Sequence, residues 1–163
     1  MNISLRKITN ADFKEYFQLI NNKHVITMLN EEYKSWHQLK KEYIQRLINN
    51  NIDKDLGTFR ISDTENDSLL GFAKLEAESS KSVELEVGYI ILPMYWNKGI
   101  ANIVCKKLIE IAKEKTKIHN LYAFVITKNV ASKRVLLKNG FKNKQSINEN
   151  GKDEERFELQ LHP

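Results

Sequence analysis

The chain has 163 residues, of which 41% are hydrophobic and 29% are charged. That size and composition predict a single domain over residues 1–163 and exclude a mainly disordered chain. The 26 Lys and Arg residues outnumber the 21 Asp and Glu residues, which gives a formal net charge of +5. Such an excess favours anionic ligands, among them nucleic acids and phosphorylated small molecules.

The single cysteine, Cys105, excludes an internal disulfide and a multi-cysteine zinc cluster. The N-terminal segment MNISLRKITN lacks the apolar core of a secretory signal. No apolar run approaches the ~18–20 residues that a membrane-spanning helix needs. The histidines show no metal-ligand spacing. We therefore expect a cytoplasmic protein with no metal and no membrane partner.

The first half of the chain predicts a strand, two helices and three strands. The opening strand covers residues 3–7, and Asn10 is the predicted N-cap of a helix that follows. The second helix begins at the capping box Ser35-Trp36-His37-Gln38. Its predicted core stripe is Trp36, Leu39, Tyr43, Leu47 and Ile48. Strands at residues 58–61, 69–76 and 83–92 have short connections, which favour an antiparallel meander.

The second half alternates helices and strands. A clean apolar stripe predicts a helix over residues 100–112, and a short apolar run predicts a strand over residues 121–126. A helix over residues 130–139 ends at Gly140, and the tail predicts a hairpin around Asn150-Gly151. The order of elements therefore predicts an α/β chain (α+β mixed sheet) with helices packed on the sheet.

The segment from Glu84 to Asn102 predicts a strand, a glycine-bearing loop and the start of a helix. Free backbone N–H groups and the helix dipole make such a junction suitable for a phosphate or pyrophosphate. The loop is not a Walker A motif, because Lys98 precedes Gly99 instead of following a glycine, and the dinucleotide fingerprint is also absent. Taken alone, the pattern is equally consistent with a loop that binds no ligand.

A second motif runs from Asn129 to Phe141. Together, the two motifs resemble the GNAT superfamily of acetyl-CoA-dependent N-acetyltransferases. The family loop pattern, Gln or Arg-x-x-Gly-x-Gly or Ala, matches from Trp96 to Ala101, although Trp96 replaces the usual Gln or Arg. The downstream pattern matches Asn129 and Ser132 and ends in Lys-Asn-Gly-Phe. The variant is most similar to the branch that contains ribosomal-protein N-terminal acetyltransferases.

The resemblance implies a GNAT-like fold and acetyl-CoA as co-substrate. In that fold a central, mostly antiparallel sheet is flanked by about four helices and is splayed at the cofactor site, between the strands of Ile90 and Val125. The pyrophosphate would lie on the loop, and the pantetheine arm would pair with the splayed strand. The cofactor-binding residues implied are Ile90, Ile91, Leu92, Trp96, Asn97, Lys98, Gly99, Ile100, Ala101, Asn102, Asn129, Ser132 and Lys138.

The resemblance implies catalysis by direct attack of a primary amine on the thioester in a ternary complex. Glu86 is the candidate base, and a solvated strand face is the alternative for it. Phe124 and Leu136 occupy positions at which relatives often carry a base and a tyrosine acid. Ser132 is therefore the favoured proton donor or thioester-orienting residue, and Tyr89 is the second candidate. The resemblance also implies that Asn129 hydrogen-bonds the pantetheine arm; a plain N-cap for the following helix is the alternative role, and the two can coexist.

The acceptor is expected to be a small-molecule amine or a protein N-terminus. Relatives build the acceptor pocket in the segment at residues 28–33, where Glu31 and Glu32 could attract a cationic amine. The alternative function is a non-catalytic acyl-CoA-binding or sensor domain, and the chain is expected to be a monomer or a homodimer. Residues 98–138 contain ten basic and two acidic residues, a net charge of +8. This distribution favours CoA over nucleic acid, which is not expected as a partner.

Overall fold

The computed structural model describes residues 1–162. The first half contains strand β1 (Ile3–Lys7), helices α1 (Phe13–Ile20), α2 (Lys23–Leu29) and α3 (Trp36–Asn49), and strands β2 (Gly57–Asp63), β3 (Leu69–Glu76) and β4 (Glu84–Ile91). The second half contains helix α4 (Ile100–Lys113), strand β5 (Asn120–Ile126), helix α5 (Val130–Lys138) and strands β6 (Lys142–Glu149) and β7 (Lys152–Gln160). The predicted alternation of helices and strands is confirmed.

The seven strands form one sheet in the order β1-β2-β3-β4-β5-β7-β6. Strands β1 to β4 pair as an antiparallel meander, and β5, β7 and β6 are also antiparallel to one another. The pairing of β4 with β5 is parallel. The prediction of a mixed, mostly antiparallel sheet is therefore confirmed.

Helices cover both faces of the sheet. Helix α4 packs its apolar stripe on one face, where Val104 and Leu108 share a hydrophobic core with Leu85 and Val87 of β4. Helices α1 to α3 form a second core that includes Phe72 of β3. Because side chains alternate along a strand, Leu85, Val87, Tyr89 and Ile91 face α4, whereas Glu84, Glu86, Gly88 and Ile90 face the other side.

Local sequence signals account for several of these boundaries. The Ser35 hydroxyl accepts a hydrogen bond from the Gln38 N–H at 3.2 Å, and the Gln38 side chain accepts one from the Ser35 N–H, as the capping box predicts. Gly140 ends α5 with a positive φ of 87°. Asn150 and Gly151, with φ values of 51° and 75°, form the tight turn between β6 and β7.

Three predictions need correction. The described residues contain five α-helices instead of about four, because α2 begins at the N-cap Asn22 and ends at the left-handed Asn30. Asn10 does not cap α1: Thr9 caps a single 3₁₀ turn at Asn10–Asp12, and α1 begins at Phe13. Trp36 and Ile48 remain 52% and 54% exposed, so the core stripe of α3 is narrower than its periodicity suggested.

Candidate functional site

Strands β4 and β5 separate near the middle of the sheet. Their parallel pairing covers only Glu84 to Glu86 of β4, and its last pair joins Glu86 to Tyr122. Beyond that pair, β4 stays bonded to β3 as far as Ile91, and β5 stays bonded to β7 as far as Ile126. The sheet is thus splayed, as the resemblance in the sequence implied. We call the space between these two strand ends the β4–β5 gap.

Only alternate residues of β4 direct their main chain into the gap. The Leu92 N–H donates to the Leu70 carbonyl at 2.9 Å, so it is used within the sheet. Because hydrogen-bonded and non-hydrogen-bonded pairs alternate along an antiparallel ladder, the main-chain N–H and C=O groups of Ile90 also point towards β3. The main-chain groups of Tyr89 and Ile91 therefore point into the gap. Of the three residues expected to pair with a ligand, Ile90, Ile91 and Leu92, only Ile91 has main-chain groups that point into the gap. Tyr89, which was not predicted for this role, has them as well.

The loop before α4 has the backbone of an anion site. Asn97 and Gly99 both have positive φ, at 61° and 78°. The first hydrogen bond of α4 runs from the Ile103 N–H to the Gly99 carbonyl, so the helix does not use the N–H groups of residues 100–102. A Cβ built on Gly99 would meet no atom within 4 Å, so the loop is open to a ligand. This geometry fits a pyrophosphate.

The side chains of this loop differ in their contacts and in their exposure to solvent. The Trp96 indole N–H donates to the Ile91 carbonyl at 2.8 Å, which fixes the loop to the end of β4. The Lys98 ammonium lies 5.2 Å from the centre of the Tyr95 ring and is exposed. Ile100 is buried in the core, so only its main chain is available to a ligand. Ala101 and Asn102 follow in the first turn of α4.

Helix α5 lines the other side of the opening. The Asn129 side chain accepts a hydrogen bond from the Ser132 N–H at 3.1 Å, which makes Asn129 the N-cap of α5. The Ser132 hydroxyl lies 3.3 Å from the Tyr89 hydroxyl of β4. At the far end of α5, the Asn139 amide donates to the Asn102 side chain at 2.9 Å. Lys138, in the last turn of α5, is exposed.

Burial changes the acidity of two groups near the gap. Desolvation raises the pKa of the Tyr89 phenol, and the hydrogen bond with Ser132 lowers it by less. Desolvation raises the pKa of the fully buried Cys105 thiol to about 12. Tyr89 is therefore a neutral hydrogen-bond donor at neutral pH, and Cys105 is a core residue that offers no thiolate.

Glu86 lies on the face of β4 opposite to α4, at the last residue paired with β5. Its carboxylate oxygen Oε1 is 2.7 Å from the Lys74 ammonium of β3, and the two side chains are 25% and 29% exposed. Sequence reasoning missed Lys74, because its closeness to Glu86 depends on the register that pairs Lys74 with Gly88. The nearby Tyr122 phenol has a pKa raised by burial and by the charges of Glu86 and Glu84.

The two positions at which relatives carry proton-transfer groups differ in exposure. Phe124 of β5 is 41% exposed, and its ring lies 5.6 Å from that of Tyr122. Leu136 of α5 is buried in the core. Neither side chain can exchange a proton, so these two positions supply neither a base nor an acid.

A polar pocket of about 700 Å³ lies between the α2–α3 connection and the β6–β7 turn. Glu31 and Glu32 line it, and the Glu31 carboxylate is bonded to the ammonium of Lys152. The same pocket is lined by Asn30, Tyr33, Lys34, Gln38 and Asn150. Sequence reasoning predicted the acidic segment and missed Lys152, which the hairpin brings to it across 121 residues of chain.

The basic surplus of residues 98–138 does not all face the loop. Lys115 pairs with Asp53 and Asp55, and Lys133 pairs with Glu155 on β7. Within residues 1–162, no group of three or more potential ligand side chains is placed to hold a metal ion. No helix in the same range is long and apolar enough to cross a membrane.

Comparison with known proteins agrees with this architecture. The family model "Acetyltransferase (GNAT) domain" matches residues 2–142. The chain is 28% identical over 137 residues to the uncharacterized N-acetyltransferase YoaA of Bacillus subtilis (strain 168), which covers 84% of this chain and 77% of that protein.

Two solved structures share the fold at low identity. The spermidine N-acetyltransferase of Vibrio cholerae, in complex with CoA and spermine, superposes with a TM-score of 0.81 at 22% identity, over 98% of this chain and 95% of that one. Aminoglycoside acetyltransferase AAC(6')-Ib, in complex with coenzyme A, gives a TM-score of 0.80 at 12% identity, over 98% and 95% of the two chains. Because the family model covers most of its length, the chain belongs to the GNAT acetyltransferase family and is an acetyl-CoA-dependent N-acetyltransferase.

Proposed function

We propose that this enzyme, acting as one domain over residues 1–163, transfers the acetyl group to a primary amine of a small cationic molecule by direct attack in a ternary complex. The observation that carries the proposal is the β4–β5 gap, which opens directly beside the unused N–H groups of α4. An acyl thioester held along β4 would have its phosphates at a positive helix end and its reactive carbon inside a sheet.

The cofactor roles follow from the main chain. The N–H groups at the start of α4 and the open Gly99 cradle the pyrophosphate, with Lys98 and Lys138 as exposed cations near the ends of α4 and α5. The gap-facing N–H of Ile91 binds the pantetheine arm or polarises the thioester carbonyl. The side-chain oxygen of Asn129 accepts the N-cap hydrogen bond, so its side-chain NH2 group is the part that binds the pantetheine arm.

Proton transfer uses groups on the two faces of β4. Glu86 takes a proton from the acceptor ammonium, directly or through a water, on the face opposite to α4. The amine nitrogen then bonds to the acyl carbon, the carbon–sulfur bond breaks, and the nitrogen releases its second proton to water. The departing thiolate receives a hydrogen bond or a proton from the Tyr89–Ser132 pair, and the pair recovers any proton that it gives from water. The high pKa of Tyr89 suits hydrogen bonding to the sulfur.

The polar pocket at the α2–α3 connection supports a cationic acceptor. Its Glu31 carboxylate already binds one ammonium group, that of Lys152, and Glu32 lies in the same lining. The Vibrio cholerae relative was crystallised with spermine, which is a polyamine. We therefore favour a small polyamine over a protein N-terminus as the acceptor class.

The test is two-substrate kinetics that follow thiol release from acetyl-CoA. Direct transfer predicts initial-rate lines that intersect when both the amine and acetyl-CoA are varied. Parallel lines would instead indicate an acetylated enzyme and would contradict the ternary complex. Tight acetyl-CoA binding without thiol release for any amine would identify the alternative, a non-catalytic acyl-CoA-binding domain.

A further inference from the structure

The Lys74 side chain follows a path that exists only because residue 88 is glycine. Lys74 of β3 is the register partner of Gly88 on β4. A Cβ built on Gly88 would lie 2.9 Å from the Cε atom of Lys74 and 3.0 Å from its Cγ atom. The lysine stem therefore lies across the glycine, and its ammonium reaches the Glu86 carboxylate two residues earlier along β4.

The two carboxylates nearest to Glu86 on this face, Glu76 and Glu84, are bonded to cations other than Lys74. Glu76 accepts hydrogen bonds from Arg46 and Thr58 on one side of Glu86. Glu84, on the other side, is held by the guanidinium of Arg156. Lys74 is the cation of Glu86 alone, so changing Lys74 alters the charge at Glu86 and leaves the neighbouring pairs in place.

We propose that Lys74 is a positioning residue that orients the Glu86 carboxylate at the mouth of the β4–β5 gap and limits how tightly that carboxylate holds a cationic acceptor. The inference rests on the proposed role of Glu86. The ammonium at 2.7 Å engages Oε1, which assigns the proton transfer from the acceptor to Oε2. The same ammonium opposes the attraction between the carboxylate and an incoming ammonium ion.

This dual role predicts an unusual kinetic signature. Replacing Lys74 with methionine removes the charge and keeps the length of the side chain. The KM for a cationic amine then falls, because Glu86 binds it more tightly, and kcat falls about tenfold, because the base is no longer oriented. A merely structural lysine would leave both constants unchanged or would raise KM.

Two further variants separate position from charge. Lys74→Arg keeps the charge and is expected to restore most of kcat. Gly88→Ala keeps both charges but displaces the lysine stem, since the new Cβ would meet flexible side-chain atoms at 2.9 and 3.0 Å. It is expected to lower kcat in the same direction as Lys74→Met. The folded state should survive the two lysine changes, because a partly exposed ion pair contributes little to stability. It should also survive Gly88→Ala, because the atoms that must shift belong to the flexible Lys74 side chain.

A double-mutant cycle tests this inference by measuring kcat and KM for one polyamine in the wild type, Lys74→Met, Glu86→Gln and the double variant. The exposed Lys106→Met is the control. We expect Glu86→Gln to lower kcat about a hundredfold and Lys74→Met to have no further effect in that background. An equal effect of Lys74→Met in both backgrounds, or an unchanged kcat in the single variant, overturns this inference and leaves the proposed function standing. A wild-type enzyme that acetylates no amine overturns the proposed function, and this inference with it.

Discussion

The phenolic oxygen of Tyr89 lies 3.3 Å from the hydroxyl oxygen of Ser132, and this contact joins β4 to α5 on the α4 side of the β4–β5 gap. It brings together the two residues that the sequence suggested as alternative proton donors. Because the hydroxyls bond to each other, they form one hydrogen-bonded unit at the gap instead of two separate candidates.

Tyr89→Phe and Ser132→Ala are each expected to lower kcat about tenfold with little change in acetyl-CoA binding, because each removes a donor to the departing sulfur. The double variant should lose less than the product of the two single effects, since the hydroxyls act together. Steady-state kinetics of the four proteins measures this, with Ser146→Ala on the exposed strand β6 as control. A normal kcat in both single variants would rule out the pair as the donor.

Gly99→Glu is expected to abolish acetyl-CoA binding, because a carboxylate in the loop would repel the pyrophosphate. Gly99→Ala is the matched control. It has the same left-handed strain at φ 78°, which costs about 1 kcal/mol, but its Cβ meets no atom within 4 Å. Calorimetric titration should therefore detect binding to the alanine variant only. Unchanged affinity in Gly99→Glu would contradict the loop assignment.

Asp12 should contribute stability that depends on pH. Burial alone raises the pKa of this carboxyl, but hydrogen bonds from Arg6 and from the Thr9 N–H outweigh it and lower the pKa below its usual value. A lowered pKa in the folded state stabilises the protein above the unfolded pKa of about 3.9, and this contribution is lost as the pH falls through the folded value.

Asp12→Asn is therefore expected to lower the free energy of unfolding at pH 7 by about 2 kcal/mol, through the loss of charged hydrogen bonds. The difference from the wild type should shrink as the pH falls below about 4. Urea denaturation across this pH range measures it, with Glu65→Gln in an exposed turn as control. A difference that stays constant with pH would show that the charge of Asp12 is not responsible.

Cys105 should play no part in the transfer. Its thiol is fully buried and its pKa is raised to about 12, so native protein should resist thiol reagents at pH 8 and react after unfolding. Cys105→Ala should keep kcat within about twofold of the wild type, because direct transfer needs no cysteine nucleophile. An acetylated Cys105 found by mass spectrometry after incubation with acetyl-CoA would contradict this assignment.

Periodicity and capping residues were sufficient for most of the fold. The strand predicted over residues 69–76 and the helix start predicted by the Ser35 capping box agree with β3 and the start of α3. Helix α2 was missed because it has seven residues, too few to show an apolar stripe, although its N-cap Asn22 was a usable signal. Trp36 was predicted to be buried because periodicity defines a helix face and not what covers it. Its ring contacts Phe13 yet stays half exposed.

The site was predictable where it depends on the main chain and less so where it depends on register. The loop at Gly99 follows from a strand, a glycine and a helix in sequence, and the left-handed φ agrees with that reading. Which residues of β4 face the gap depends on the β3–β4 register, and so does the contact between Lys74 and Glu86. Contacts between distant segments, such as Lys152 with Glu31, require the whole sheet to be assembled first.

The central claim is that the enzyme acetylates a small cationic amine at the β4–β5 gap. The most direct measurement offers acetyl-CoA together with equal concentrations of a small polyamine and a peptide with a free N-terminus, and identifies the products by mass spectrometry. We predict acetylated polyamine as the main product of the wild type, and a strong reduction of it in Glu86→Gln. Acetylation of the peptide alone, or of neither acceptor, would contradict the account.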